Sequence, residues 1–253
     1  MAPQHPAAAA EPSKAKATGK PFQAKARSLE VLRTPHKLDT LPWFTRVALK
    51  VVGYDSQAST QIRSAEMLYK QIQQQSLDER IFDVIDLKRD FRAEFALMTI
   101  HVWLILHRLR GEGDEGKRMS QKLYDIFWED VEKRVYDAGV KVRVSKWLKE
   151  LEEYFFGSCV AYDNALKSSP RELTSAVWRN AYNKEGDSKH AAVLARYMHR
   201  ELACLYLTPS HALLSGAVAF SKDFAVDESA LPKEAVQSEQ VRFDEVLSGG
   251  ACL

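Results

Sequence analysis

The stretch FRAEFALMTIHVWLILHRL, from Phe91 to Leu109, decides the fold class of this 253-residue chain. Its apolar side chains recur three or four residues apart, at Phe91, Phe95, Met98, Val102, Ile105 and Leu109. That spacing is helical, and further apolar residues cover the flanks, so the stretch predicts a buried central helix. Asp90 can cap this helix, because a carboxylate accepts hydrogen bonds from the first amides. The apolar run is shorter than the roughly 20 residues that span a bilayer.

The segments around this stretch have the same helical period. They predict further helices at about residues 41–53, 59–75, 117–136, 145–167, 170–182 and 190–207. Ser169 and Pro170 are typical of a helix start, whereas Gly111–Gly116 (GEGDEG) and residues 79–88 are interpreted as connections. No alternating strand pattern lasts six residues. The predicted fold is therefore all-α, one domain of about six to eight packed helices.

Composition divides the chain into three parts. Residues 1–40 carry seven Lys or Arg and three acids, and are predicted to form a basic disordered arm. The acid-poor start also suits an organelle transit peptide, which would be removed to about residue 28 or beyond; a plain disordered tail is the alternative. Residues 41–220 form the helical domain. Residues 221–253, with three basic and seven acidic residues, form an acidic flexible tail.

Charge and cysteine usage exclude several classes of protein. The helical domain is nearly neutral, so we expect no direct DNA binding. The three cysteines, Cys159, Cys204 and Cys252, form no CxxC pair, which favours a reducing compartment over a disulfide framework or zinc site. Cys159 and Cys204 lie on apolar helix faces and are predicted to be buried structural thiols.

Catalytic motifs are missing from the sequence. It contains no GxSxG, no glycine-rich phosphate loop and no HExxH. His101 and His107 are six residues apart and point in different directions from one helix, so His101 is interpreted as a core residue. We therefore predict no enzyme activity, no catalytic residue, no metal and no cofactor.

Two acidic pairs support an alternative. Asp86 with Asp90, and Asp125 with Glu129, have the spacing with which all-helical prenyl-diphosphate enzymes hold magnesium. A magnesium-dependent isoprenoid enzyme would need both pairs to face one large apolar cavity. A solvated acidic face is favoured instead, because Asp90 suits a helix cap and basic neighbours neutralise the first pair.

The predicted helices carry many aromatic residues: Trp103, Tyr124, Trp128, Trp147, Tyr154, Phe155, Phe156, Tyr162, Trp178 and Tyr182. Most are expected in the core. Any that face outward beside apolar neighbours would mark a protein-docking surface.

An ordered series of short motifs runs through residues 60–207. It consists of Phe91-x-x-x-Phe95-x-Leu97, His101-Val102-Trp103-Leu104 with Arg108-Leu109, Leu123-x-x-x-Phe127-x-Glu129-Asp130, Gly139-Val140, Tyr154-x-x-Gly157, Tyr162-Asp163-x-Ala165-Leu166, Leu173 with Ala176-x-x-Arg179-Asn180, and Leu194-Ala195-Arg196-Tyr197. The set resembles the ubiquinol–cytochrome c chaperone family. The segment from Val140 to Trp147 departs from the family pattern.

The resemblance implies an assembly factor of the cytochrome bc1 complex, complex III, rather than an enzyme. Members in mitochondria work on the matrix side of the inner membrane, with peripheral membrane association. They receive newly made cytochrome b near the mitochondrial ribosome, together with a small assembly-factor partner. The remaining alternative is a mitoribosome or RNA-binding module that acts through the basic arm, which predicts steep salt dependence.

Binding alone would require a groove rimmed by aromatic and carboxylate side chains. The predicted partner-binding rim consists of Trp103, Tyr124, Trp128, Glu129, Asp130, Tyr162 and Asp163. Each of these residues has an alternative place in the core or at its edge. For Trp103 the core is favoured, because both flanks of its helix are apolar. Arg179 is a candidate ion-pair partner for Asp163 or Glu129.

Overall fold

The helical architecture is seen in a computed structural model that describes residues 21–31 and 57–222. These residues form eight α-helices: α1 (Gln57–Ser76), α2 (Glu79–Ile85), α3 (Phe91–Leu109), α4 (Gly113–Asp137), α5 (Val144–Leu166), α6 (Pro170–Asn180), α7 (Ser188–Leu207) and α8 (Ser210–Leu214). The described part contains one isolated β-bridge, between Glu30 and Val218. The all-α prediction is confirmed. The helix predicted over residues 41–53 lies outside the described residues.

Helix α3 is the centre of the core. It packs against α1, α4, α5 and α7, and nearly all of its side chains from Ala93 to Ile105 are buried. Asp90 caps it as predicted, since its Oδ1 accepts the amide of Ala93 at 2.8 Å. Among the described residues, no helix combines the length and the hydropathy that crossing a bilayer requires.

Two predicted connections are partly helical. Residues 79–88 contain α2, which Asp78 caps and which buries Ile81, Phe82 and Ile85. In GEGDEG, α4 already begins at Gly113 after a short 3-10 turn. Gly116 is needed for close packing, because a Cβ there would lie 2.1 Å from the carbonyl oxygen of Leu109. These glycines therefore serve a close approach of two helices as well as a turn.

Residues 21–31, which the sequence assigned to the arm, pack onto the fold. Phe22 and Leu29 are buried, and the ring of Phe22 lies 4.8 Å from that of Tyr197 in α7. Leu29 donates its amide to Oγ1 of Thr208 at 3.0 Å. Two apolar residues in a polar segment are too few for independent folding, but here the segment packs against α7. Cleavage of a leader at residue 28 or beyond would therefore remove the buried Phe22 from the fold.

A buried polar chain joins α1, α3 and α7. His101 is completely buried, with Nδ1 2.7 Å from the carbonyl oxygen of Leu97 and Nε2 2.7 Å from the hydroxyl of Tyr197. A carbonyl only accepts, so Nδ1 carries the proton and Tyr197 donates to Nε2. Gln75 donates to the Tyr197 hydroxyl at 3.2 Å. The interpretation of His101 as a core residue is confirmed.

The buried imidazole predicts a loss of stability in weak acid. Burial lowers the pKa of His101 from 6.5 to about 4, although the hydrogen bond to Leu97 acts in the opposite direction. The unfolded chain therefore binds a proton at higher pH than the folded chain. The contribution of neutral His101 to the free energy of unfolding is complete above pH 6.5. It is lost as pH falls towards 4, by about 3 kcal/mol in all.

Urea unfolding at about pH 7.5 and about pH 5 measures this effect, with His101→Gln as the matched variant. Burial also lowers the pKa of His199, which adds to the loss, whereas burial raises the pKa of Glu201, which opposes it. The wild-type stability should fall more steeply than that of His101→Gln. Equal slopes would show that His101 does not remain neutral in the fold.

Candidate partner-binding surface

The seven predicted rim residues lie on three neighbouring helices but not on one surface. Trp103 is on α3, four of the others are on α4, and Tyr162 and Asp163 are on α5. The structure separates them into a core pair, two half-buried carboxylates, the exposed Glu129, and an outer group that includes Tyr124 and Trp128.

Trp103 and Tyr162 form the core pair. Both side chains are completely buried, and their rings lie 5.4 Å apart in an edge arrangement. Trp103 Nε1 donates to Oδ1 of Asp163 at 2.9 Å. The structure therefore places them beneath the surface rather than on a rim, as the apolar flanks of α3 favour for Trp103.

Asp163 connects α5 to the end of α3. It is half-buried. In addition to the bond from Trp103, it accepts a hydrogen bond from His107 Nδ1 at 3.1 Å and pairs with Arg110 Nη2 at 2.7 Å. Burial acts to raise the pKa of Asp163, but these hydrogen bonds outweigh it and hold the pKa well below its ordinary value. Its cationic partner is Arg110, whereas Arg179, the partner considered from the sequence, is exposed.

Asp130 and Glu129 differ in environment although they are adjacent. Asp130 accepts the Tyr69 hydroxyl at 2.7 Å and Arg134 Nε at 2.5 Å, so it ties α4 to α1. Burial acts to raise the pKa of Asp130, and the bonds from Arg134 and Tyr69 more than offset it, so its pKa is lowered. Glu129 is exposed. Of the two, only Glu129 is placed to meet a partner.

The outer group, which we name the α4–α5 face, consists of Tyr124, Trp128, Phe156, Gly157 and Val160. The ring of Tyr124 lies 6.0 Å from those of both Trp128 and Phe156. Phe156 is 50% exposed and Val160 is 58% exposed. A Cβ at Gly157 would meet no atom within 4 Å, so the surface is open there.

Phe156 and Val160 are functional candidates that the predicted rim did not include. The doublet Phe155-Phe156 is the signal in the sequence, because adjacent residues on a helix point about 100° apart, and on a helix with one buried face only one of the two enters the core. Phe155 is buried and Phe156 faces outward. Val160 follows Phe156 by one turn and prolongs its exposed stripe.

The cysteine and acidic side chains considered for catalysis make structural contacts or are buried. Burial raises the pKa of Cys159 to about 12 and that of Cys204 to about 11, so both thiols stay protonated at neutral pH. Asp90 is engaged as a helix cap, and Asp86 lies 3.4 Å from His190 at the end of α2. Within residues 21–31 and 57–222, no three His, Cys, Asp or Glu side chains are grouped to hold a metal ion.

Comparison with known proteins identifies related chains. The sequence model described as ubiquinol-cytochrome C chaperone matches residues 83–220. The ubiquinol-cytochrome-c reductase complex assembly factor 1 of Xenopus laevis is 30% identical over 145 residues, which are 56% of this chain and 72% of that protein. Its human counterpart is 29% identical over 133 residues, 51% of this chain and 44% of that protein.

Two further relatives extend the comparison. Protein CBP3, mitochondrial, of Saccharomyces cerevisiae is 26% identical over 160 residues, 60% of this chain and 48% of that protein. The chain thus spans less than half of the human and yeast relatives. The crystal structure of the Cbp3 homolog from Brucella abortus has a TM-score of 0.63 and 24% identity, over 71% of this chain and 99% of that one. The likeness to that structure shows a shared fold.

Proposed function

The chain belongs to the ubiquinol–cytochrome c chaperone family, and from that premise we propose that it is an assembly chaperone for the mitochondrial cytochrome bc1 complex. It binds newly made cytochrome b together with a small partner factor, on the matrix side of the inner membrane. It acts by binding and not by catalysis. The names of its relatives support this role: the frog and human proteins are named ubiquinol-cytochrome-c reductase complex assembly factor 1, and the yeast protein is named as mitochondrial.

The exposed α4–α5 face is the observation that carries the proposal. Transmembrane segments outside a bilayer aggregate through their apolar surface, and a chaperone must cover that surface. Phe156 and Val160 offer an apolar stripe of matching chemistry. Contiguous exposed apolar side chains on a soluble protein mark an interaction site more often than scattered ones.

Gly157 adds a geometric argument. Glycine inside a helix costs about 0.5–1 kcal/mol relative to alanine. Nothing within the described part of the chain comes near enough to require it. A glycine between Phe156 and Val160 lets the backbone of a second helix approach closely, as small residues do at helix–helix contacts. The α4–α5 face therefore suits a helical client or partner segment.

The other predicted rim residues have graded roles in this proposal. Tyr124 and Trp128 belong to the α4–α5 face, and Glu129 is exposed beside Trp128. The Tyr124 hydroxyl donates a hydrogen bond to Glu152 at 2.9 Å. Trp103, Tyr162 and Asp163 lie beneath or beside it and fix the angle between α3 and α5. Their effect on binding is expected through the position of α5.

Charge placed on this face should abolish assembly without unfolding the protein. Phe156→Asp with Val160→Asp changes exposed positions, and surface changes cost about 0.5 kcal/mol or less. Central apolar anchors of an interface are worth about 2 kcal/mol or more each. In cells that lack the native protein, the double variant should leave assembled bc1 complex on native gels at the level of the empty control.

Leu207→Asp is the matched control, since Leu207 is 57% exposed but lies on α7. It should support normal assembly. Gly157→Ala separates stability from binding, because it should raise the thermal midpoint slightly and still reduce assembly. Full assembly with the charged double variant, at normal protein level, would rule out the α4–α5 face as the binding site.

A further inference from the structure

The corner where α4 turns into α5 is both basic and apolar. Residues 139–149 read GVKVRVSKWLK, with four cations and no acid. We name as the α4–α5 corner the residues Lys141, Val142, Arg143, Lys146 and Trp147. Val142 is 75% exposed and Trp147 is 51% exposed. These two exposed apolar side chains lie among positive charges, whereas Phe156 and Val160 do not.

The backbone holds the corner in a defined shape. Gly139 ends α4 with a φ of 87°, and Arg143 starts α5 with a φ of 56°. The Arg143 carbonyl accepts the amides of Lys146 at 3.0 Å and Trp147 at 3.2 Å. A left-handed conformation at a residue other than glycine is unfavourable, and such strain concentrates at functional sites. Val142 and Arg143 are thus presented outward on a fixed turn.

The positive charge of the corner is only partly offset. Lys146 lies 3.7 Å from Glu150, one turn further along α5, and both side chains are exposed. Within the described ranges, Lys141 and Arg143 form no ion pair. The apex of the turn therefore keeps at least two uncompensated cations beside Val142.

The combination specifies the chemistry of the binding partner. Tryptophan is enriched at membrane–water interfaces, and lysine and arginine are attracted to anionic headgroups. At the core of a protein interface charged residues are depleted, whereas here cations alternate with apolar residues at the apex. RNA would leave an exposed valine without a contact. We propose that the α4–α5 corner docks the protein on an anionic phospholipid surface.

Docking here would place the client-binding face near the bilayer. Phe156 and Val160 follow Trp147 on the same helix by nine and thirteen residues, or about 14 and 20 Å at 1.5 Å per residue. The proposal therefore deepens the proposed function by naming the membrane contact. Its test with purified protein does not depend on cytochrome b, so the two can fail separately.

The test is co-sedimentation of the full chain with vesicles of phosphatidylcholine, alone or mixed with cardiolipin. The wild-type protein should co-sediment with the anionic vesicles but not with the neutral vesicles, and high salt should weaken this binding. Each cation near an anionic surface contributes about fivefold in binding. Lys141→Glu with Arg143→Glu should therefore reduce binding at least about tenfold, and Trp147→Ser should weaken it while the salt dependence remains.

Lys117→Glu with Lys189→Glu is the matched control, with the same change of net charge at exposed sites elsewhere. It should bind like wild type. Lys14, Lys16 and Lys20 stay in every variant, so they cannot cause a difference. Equal loss in the control, equal binding to neutral vesicles, or binding of RNA but not vesicles through the corner would each overturn the proposal.

Discussion

Replacing Trp103 with alanine should lower the free energy of unfolding by about 3–5 kcal/mol, as for other buried tryptophans. The side chain is completely buried, and its ring lies 5.4 Å from both Tyr162 and His107. The substitution also removes the indole donor to Asp163 and leaves that half-buried carboxylate with two donors. Because a whole domain is stable by only about 5–15 kcal/mol, much of the protein should unfold.

Urea unfolding followed by circular dichroism measures this loss. Trp147→Ala, the same change at an exposed position, should stay within about 0.5 kcal/mol of wild type. Trp103→Phe keeps most of the apolar volume and should lose less than Trp103→Ala. If Trp103→Ala folds normally but loses its partners, Trp103 is a docking anchor and the assignment to the core is wrong.

Removing residues 1–31 should have an effect of similar or greater size. Phe22 and Leu29 are core residues, and truncating a buried leucine or phenylalanine costs about 2–5 kcal/mol. The segment also pairs with the residues that follow α8. The Val31 amide donates to the Ala217 carbonyl and the Ala219 amide donates to the Leu29 carbonyl, both at 3.0 Å. Its loss exposes Tyr197, against which Phe22 packs.

Removal of residues 1–20 is the matched truncation, since it leaves Phe22 and its contacts in place. Its thermal midpoint should remain close to that of the full chain, whereas the longer truncation should melt many degrees lower or not fold. Phe22→Ala in the full chain should give an intermediate loss. Equal midpoints for the two truncations would contradict the role given to residues 21–31.

Helices whose apolar faces repeat over many turns could be predicted from the sequence. The bounds of α3 match the prediction, and α6 starts at Pro170 behind its Ser169 cap. In both helices, local sequence and tertiary packing favour the same structure, since the cap satisfies free amides and the apolar face packs into the core. Short α2 offered two turns only, too few to separate a helix from a connection.

The binding surface could be predicted only in part. Helical period assigns a residue to a face, but it does not say which faces meet another helix. Trp103 and Tyr162 lie in the core because α3 is covered by its neighbours, and Phe156 is exposed because α5 packs on one side only. The pairing of Asp163 with Arg110 depends on the angle between α3 and α5, which no local pattern encodes.

Selective capture of newly made cytochrome b is the most direct test of the proposed chaperone function. Mitochondria that synthesise radiolabelled protein are lysed in mild detergent, and the chain is purified through a tag. Labelled cytochrome b should be recovered in strong preference to the other mitochondrial translation products, together with one small protein. The double variant Phe156→Asp with Val160→Asp should lose both. Recovery of all labelled products in proportion to their synthesis, or magnesium-dependent turnover of a prenyl diphosphate by the purified chain, would contradict the proposed function.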